Sequence, residues 1–175
     1  MSPDVLDTLF LQRGREILWL APSALSQTET QAAYNYWMTL RGERPWPARE
    51  DMKLRQMAGL VPYMSLVKVL DGGADFEHRI VGDMIVRAFS VPIQNRRFSE
   101  IAVDAPLLIE GSLALFRRVV RDQAPLAWQQ RVHNNTVHIV TTYTEMLLLP
   151  FGQNDDAVDH IAAFGVQNRS PRCGN

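Results

Sequence analysis

The stretch LAWQQRVHNNTVHIVTTYTEMLLL, residues 126–149, predicts two β-strands joined by a tight turn. Asn134 and Asn135 are predicted to form the turn, because asparagine tolerates the left-handed backbone that a two-residue hairpin needs. The second strand is rich in β-branched and aromatic residues, which favour a pleated and half-buried surface. With Asn134 and Asn135 as the turn, Trp128 is predicted to pair with Thr141 across the two strands.

The larger and more apolar face of the hairpin is predicted to face the core, while Gln129 and Arg131 lie on the other face. The core-facing residues are Leu126, Trp128, Gln130 and Val132 on the first strand, and Val137, Ile139, Thr141, Tyr143 and Glu145 on the second. A few polar groups among aromatic side chains suit a small-molecule pocket. An ordinary core with hydrogen-bonded hydroxyl groups has the same pattern, so both interpretations stay open.

The rest of the chain supplies helices and three more strands. A capping box from Ser26 to Glu29 predicts the start of a helix. The predicted helices cover residues 28–40, 48–60, 83–89 and 104–122, and the predicted strands cover residues 63–70, 76–81 and 158–166. In the strand FEHRIV, Phe76, His78 and Ile80 are expected on one face. This order predicts an α+β domain, an antiparallel sheet with helices gathered on one face.

Residues 1–27 are predicted to form an N-terminal helical extension. Ser2, Pro3 and Asp4 are typical of a helix start, and a short apolar stripe follows them. Three interpretations stay open: a helix folded back on the domain, a helix that dimerises or docks on a partner, and disorder. Residues 28–166 are predicted to form the domain, and residues 167–175 a polar tail.

Composition excludes several classes of protein. The chain has 175 residues, 46% of them hydrophobic, which suffices for a core, and a net charge of −1, which argues against a nucleic-acid partner. No run of 18 apolar residues exists, so we expect no membrane-spanning segment, and no signal-peptide pattern opens the chain. Cys173 is the single cysteine. A reducing compartment is therefore expected, and cytoplasm is the default location.

Several blocks in a fixed order resemble a PAS domain, and more closely a compact PAS family common in alphaproteobacteria. The blocks are RGERPWPARED (residues 41–51), LVP (60–62), FEHRIVG (76–82), EMLLLPF (145–151) and VDHI (158–161). The resemblance covers residues 30–166. It implies a five-stranded sheet in the order 2-1-5-4-3, with the opening hairpin as strands 3 and 4. It also implies a sensory or regulatory role.

Within such a domain, we expect Trp128, Thr141, Tyr143, Glu145 and His78 to bind a ligand between the sheet and the helices. Glu145 is the most informative, because a buried carboxylate must be hydrogen-bonded, paired or neutral. It could orient a polar group of the ligand. It could equally bind the backbone or an arginine such as Arg79, or lie in water at a sheet end.

The sequence predicts no catalytic residue, no metal site and no cofactor. It contains no HExxH spacing, phosphate-binding loop or nucleophile elbow, and its cysteine lies in the tail, whereas flavin-binding relatives carry theirs near the short helices. Two hypotheses therefore remain. The domain is either a sensor that binds a small molecule, or a ligand-free adaptor that binds an unknown signalling protein and forms a homodimer through its N-terminal helix.

Overall fold

The computed structural model describes residues 15–89, 91–132 and 142–169, and within them six strands form one antiparallel sheet. The strands are β1 (Arg15–Leu20), β2 (Met64–Leu70), β3 (Asp75–Val81), β4 (Leu126–Val132), β5 (Thr142–Phe151) and β6 (His160–Arg169). Their order across the sheet is β1-β4-β5-β6-β2-β3. Counted without β1, the five remaining strands have the predicted order 2-1-5-4-3.

Four helices accompany the sheet in the described residues. They are α1 (Thr28–Arg41), α2 (Asp83–Val86), α3 (Phe98–Asp104) and α4 (Pro106–Asp122). The helix predicted over residues 48–60 is wrong, because this segment forms only a short 3-10 turn, Arg49–Asp51, followed by further turns. None of the described helices is long and apolar enough to span a bilayer.

The first described segment corrects the prediction of an N-terminal helical extension. Arg15–Leu20 is a strand that pairs antiparallel with β4, and Trp19 lies opposite Trp128. The run from Ile17 to Leu20 contains two β-branched or aromatic residues, and it finds hydrogen-bond partners on the edge of an existing sheet. The helix start predicted at Ser2 lies outside the described residues.

The hairpin register differs from the predicted one. Trp128 pairs with Met146, and Gln129 pairs with Glu145. Each β4 residue therefore lies opposite a residue five positions further along than expected. Alternate residues of a strand face opposite sides of the sheet. A shift by an odd number of positions therefore places Met146 on the face of Trp128 and moves Glu145 to the opposite face. Asn134 and Asn135, the predicted turn, lie outside the described residues.

Both faces of the sheet are covered, so the prediction of helices on one face is wrong. Leu147, Leu148 and Leu149 are consecutive in β5 and at most 1% exposed. Consecutive strand residues point to opposite faces, so each face must have its own cover. We call the side that bears Glu145 and Leu147 the α1 face, and the side that bears Trp128 the α4 face.

Side-chain contacts identify the cover of each face. On the α1 face, the Trp37 indole of α1 donates a 2.8 Å hydrogen bond to the carbonyl of Pro150. On the α4 face, Phe98 of α3 and Phe116 of α4 each pack against Phe76 of β3, with ring centroids 5.4 Å apart. The aromatic cluster of these three rings fills the α4 face at the β3 edge.

A β-bulge changes which side chains of β3 share a face. His78 pairs with Val67, but Ile80 pairs with Leu66, so Arg79 is an extra residue in β3. The bulge brings Arg79 and Ile80 to the α1 face together, while His78 stays on the α4 face. The prediction that Ile80 shares a face with Phe76 and His78 is therefore wrong.

Candidate functional site

Glu145 is fully buried on the α1 face and accepts hydrogen bonds from four residues. One carboxylate oxygen accepts from the Gln27 N–H at 3.0 Å and the Thr30 hydroxyl at 2.5 Å. The other accepts from the Ser26 N–H at 3.0 Å, the Ser26 hydroxyl at 2.7 Å and the Gln129 amide at 2.9 Å. We call these residues the Glu145 cluster. Its donors satisfy both oxygens of the carboxylate.

The Glu145 cluster keeps the carboxylate charged. Burial by itself raises the pKa of Glu145, but the hydrogen bonds from the cluster outweigh burial and lower this pKa to about 2. Glu145 is therefore ionised at neutral pH. Of the alternatives raised by the sequence, the geometry matches binding to backbone and neighbouring polar groups. Arg79 is not involved, since it pairs with Glu77 at 2.8 Å.

The cluster also explains how α1 begins. Gln27 is the N-cap residue and makes no side-chain capping bond, so the predicted capping box from Ser26 to Glu29 is wrong. Glu145 instead accepts hydrogen bonds from the Ser26 and Gln27 N–H groups at this helix start. Glu145 lies on a strand more than a hundred residues away in sequence. A negative charge is favourable there because of the helix dipole. Glu145 thus fastens α1 to the sheet.

Trp128 lies on the α4 face and is 2% exposed. Its ring is 6.2 Å from that of Trp19, and the guanidinium of Arg118 lies 4.6 Å above the Trp19 ring. The indole N–H of Trp128 has no acceptor in the described part of the chain. Most buried donors are paired, so this N–H is a group to which a bound molecule could supply an acceptor.

His78 is buried on the same α4 face as Trp128, but it lies in β3, at the opposite edge of the sheet. Its Nδ1 lies 2.7 Å from the hydroxyl of Ser65, and its ring centroid is 5.0 Å from that of Phe98. Burial lowers the pKa of His78 to about 4, so the ring is neutral at pH 7. A neutral imidazole that is already hydrogen-bonded and stacked has the properties of a core residue.

The structure does not bring the predicted ligand-binding residues together. Trp128 and His78 share the α4 face, but four strand spacings of about 4.8 Å, roughly 19 Å in total, separate their strands. Glu145 lies on the α1 face. Thr141 and the side chain of Tyr143 lie outside the described residues. The ligand-binding role of the five residues stays a prediction.

Comparison with protein families gives one match, a PAS domain model that covers residues 25–166. The chain belongs to the PAS domain family. Comparison with curated proteins and with solved structures gave no match. The match spans most of the chain and begins beside Ser26, so it includes α1 and the Glu145 cluster. PAS domains are generally sensory or signalling modules.

Two features of this PAS domain were missed from the sequence. Thr30 was not recognised as a partner of Glu145, because the two residues lie 115 positions apart in the chain. Ser65 was not recognised as the partner of His78. The signal for it was weak, because a serine in an apolar strand has many possible partners until the strand pairing is known. Within the described ranges, no three His, Cys, Asp or Glu residues form a metal-binding group.

Proposed function

We propose that this PAS domain is a sensory or regulatory module of signal transduction that binds a small molecule beside Trp128 on the α4 face. It acts in the cytoplasm by binding and not by catalysis, and it passes its signal to a protein partner by contact. The observation that supports a ligand at this place is the buried indole N–H of Trp128, which has no acceptor among the described residues.

Leaving a buried donor unpaired costs about 1–3 kcal/mol. A ligand with a carbonyl, hydroxyl or ether oxygen near Nε1 of Trp128 would recover this free energy on binding. The surrounding rings of Trp19 and Trp128 suit an aromatic or aliphatic body. The proposed ligand is therefore a largely apolar small molecule with at least one hydrogen-bond acceptor.

Native mass spectrometry of the full chain tests the proposal, since it reports the mass added to each chain. We expect an added mass on the wild-type protein and at least a tenfold lower occupancy for Trp128→Phe, which removes the N–H and keeps a ring. Trp37→Phe is the matched control, because its N–H already binds Pro150 on the α1 face. This control should keep the ligand. Absence of added mass on the wild-type protein contradicts the proposal.

A second candidate function, a ligand-free adaptor that dimerises, is favoured by the position of β1. This strand forms one edge of the described sheet, and its Leu18 is 60% exposed. An edge strand with free backbone groups can pair with the same strand of a second copy. The homodimer predicted through an N-terminal helix would then form through β1 instead.

Native mass spectrometry also reports the number of subunits. Under this second candidate, the wild-type protein is a dimer without added mass, and Leu18→Lys makes it a monomer. Met84→Lys is the control, because Met84 is an apolar residue on α2 that is 42% exposed and lies outside β1. A wild-type monomer contradicts the adaptor.

A further inference from the structure

A basic cleft lies on the α1 face, over β2, β3 and β6. Its volume is about 400 Å³. It is lined by Arg49, Leu66, Lys68, Arg79, Ile80 and His160. Four of these six residues carry nitrogen donors on their side chains, and the two others are apolar. We call this site the basic cleft.

Three separate features of the fold bring the basic side chains together. Lys68 pairs with His160 across β2 and β6, so both side chains point to the same face. The β-bulge turns Arg79 to that face beside Ile80. Arg49 comes from the 3-10 turn Arg49–Asp51. The cleft thus depends on sheet register, on a bulge and on the segment after α1.

Two basic residues of the cleft, Arg49 and Lys68, form no close ion pair among the described residues. Arg79 forms an ion pair with Glu77 at 2.8 Å, and His160 is held by Asp159 at 2.7 Å. Arg49 and Lys68 make no side-chain hydrogen bond or ion pair within the described ranges. The positive charges of the cleft come from Arg49, Lys68 and Arg79, and Glu77 lies opposite Lys68 across β2 and β3.

We propose that the basic cleft binds a small phosphate monoester. Its phosphate carries a charge of about −1.5 to −2 at pH 7, opposite in sign to the charges of Arg49, Lys68 and Arg79. Arginine presents a fork of donors that suits phosphate oxygens, and lysine adds a compact charge. The organic group of the ester contacts Leu66 and Ile80. The volume of the cleft lies in the lower range for small-molecule sites, which favours a free molecule of this size.

The cleft is independent of the site proposed beside Trp128. The two sites lie on opposite faces of the sheet. A ligand of the basic cleft would also contact both the sheet and Arg49, in the segment that joins α1 to β2. Binding at the cleft would therefore bias the position of this segment relative to the sheet.

Titration of the full chain with phenyl phosphate, followed by calorimetry and by amide NMR shifts, tests the proposal. We expect saturable binding with shifts at Lys68, Arg79 and His160. Arg49→Gln and Lys68→Gln should each weaken binding about tenfold, as expected for the loss of one charge-assisted contact. Both residues lack side-chain bonds to other described residues, so both variants should fold.

Two controls separate a site from general charge attraction. Arg87→Gln removes a charge from an arginine that is 72% exposed, pairs with Asp83 and does not line the cleft, and it should leave the affinity unchanged. Trp128→Phe should also leave it unchanged, whatever the outcome for the site beside Trp128. Absence of saturable binding overturns the proposal. So does an equal loss of affinity in Arg87→Gln, or phenol binding as tightly as phenyl phosphate.

Discussion

Replacing Glu145 with glutamine tests how much the Glu145 cluster contributes to folding. The substitution keeps the shape of the side chain and removes its charge and one acceptor oxygen. The amide group that replaces this oxygen is itself a donor. It would face the Ser26 or the Gln27 N–H, and neither backbone group can rotate away.

The magnitude follows from the bonds lost. A hydrogen bond to a charged group contributes about 1.5–3 kcal/mol, and glutamine keeps at most the bonds of one oxygen, without the charge. We expect Glu145→Gln to lower the free energy of unfolding by about 2–4 kcal/mol. For a chain of this length, the melting temperature should fall by about 5–15 °C.

Thermal unfolding at pH 7, monitored by circular dichroism, measures this difference. Glu43→Gln is the matched control, because Glu43 is an exposed residue in the loop after α1 and should change the melting temperature by less than about 1 °C. A melting temperature of Glu145→Gln within 2 °C of the wild type would refute the reasoning.

The pH dependence provides a second measurement on the same variant. The pKa of Glu145 is about 2 in the folded protein and near 4.5 when unfolded, so the unfolded state binds the proton first as pH falls. The stability that Glu145 contributes is present above pH 4.5 and is lost as pH falls toward 2. The free energy of unfolding of the wild-type protein should therefore fall by about 2 kcal/mol more than that of Glu145→Gln between pH 5 and pH 3. Equal losses in both proteins would contradict this.

Two further predictions concern other buried groups. The pKa of His78 is about 4 in the folded protein and 6.5 in the unfolded chain, so the unfolded chain binds the proton first as pH falls. The free energy of unfolding should therefore drop by about 2 kcal/mol between pH 7 and pH 5. Urea unfolding at both pH values should show this slope in the wild type and not in His78→Gln; identical slopes would exclude His78 as the cause. Gly82→Ala should cost more than about 3 kcal/mol, because its Cβ would lie 2.1 Å from the Val61 carbonyl oxygen. Gly59→Ala, with open space around it, is the control, and similar melting temperatures for the two variants would disprove the clash.

Much of the fold could be predicted from local sequence patterns. The strand over residues 63–70 and the helix over residues 28–40 match β2 and α1 within two residues. Gly42 follows α1, and β2 lies between Pro62 and Gly72. The strand order was predicted correctly as well, through the family resemblance and not from the local patterns. The helix predicted over residues 48–60 is wrong, because this segment forms a series of turns that buries Met52 and Met57.

The placement of the candidate residues could not be predicted from local patterns. Strand propensity identifies Trp128 and Glu145 as strand residues in any register, but their faces depend on the register. A shift of five positions, an odd number, moves every β5 side chain to the other face relative to β4. Trp128 therefore faces α4, while Glu145 faces α1. The difference in free energy between registers lies in contacts with β1, β6 and the helices, which are distant in sequence.

The sequence by itself determined that β4 and the described part of β5 are strands and that Glu145 needs partners if it is buried. These conclusions follow from β-propensity and from the cost of burying a charge, which are local properties. Only the tertiary structure decided that Glu145 binds the start of α1, and that Arg49, Lys68 and Arg79 meet in one cleft. The physical reason is that hydrogen bonds and charge pairs act over a few ångströms in space. The fold alone brings together groups that lie up to 119 positions apart in the chain.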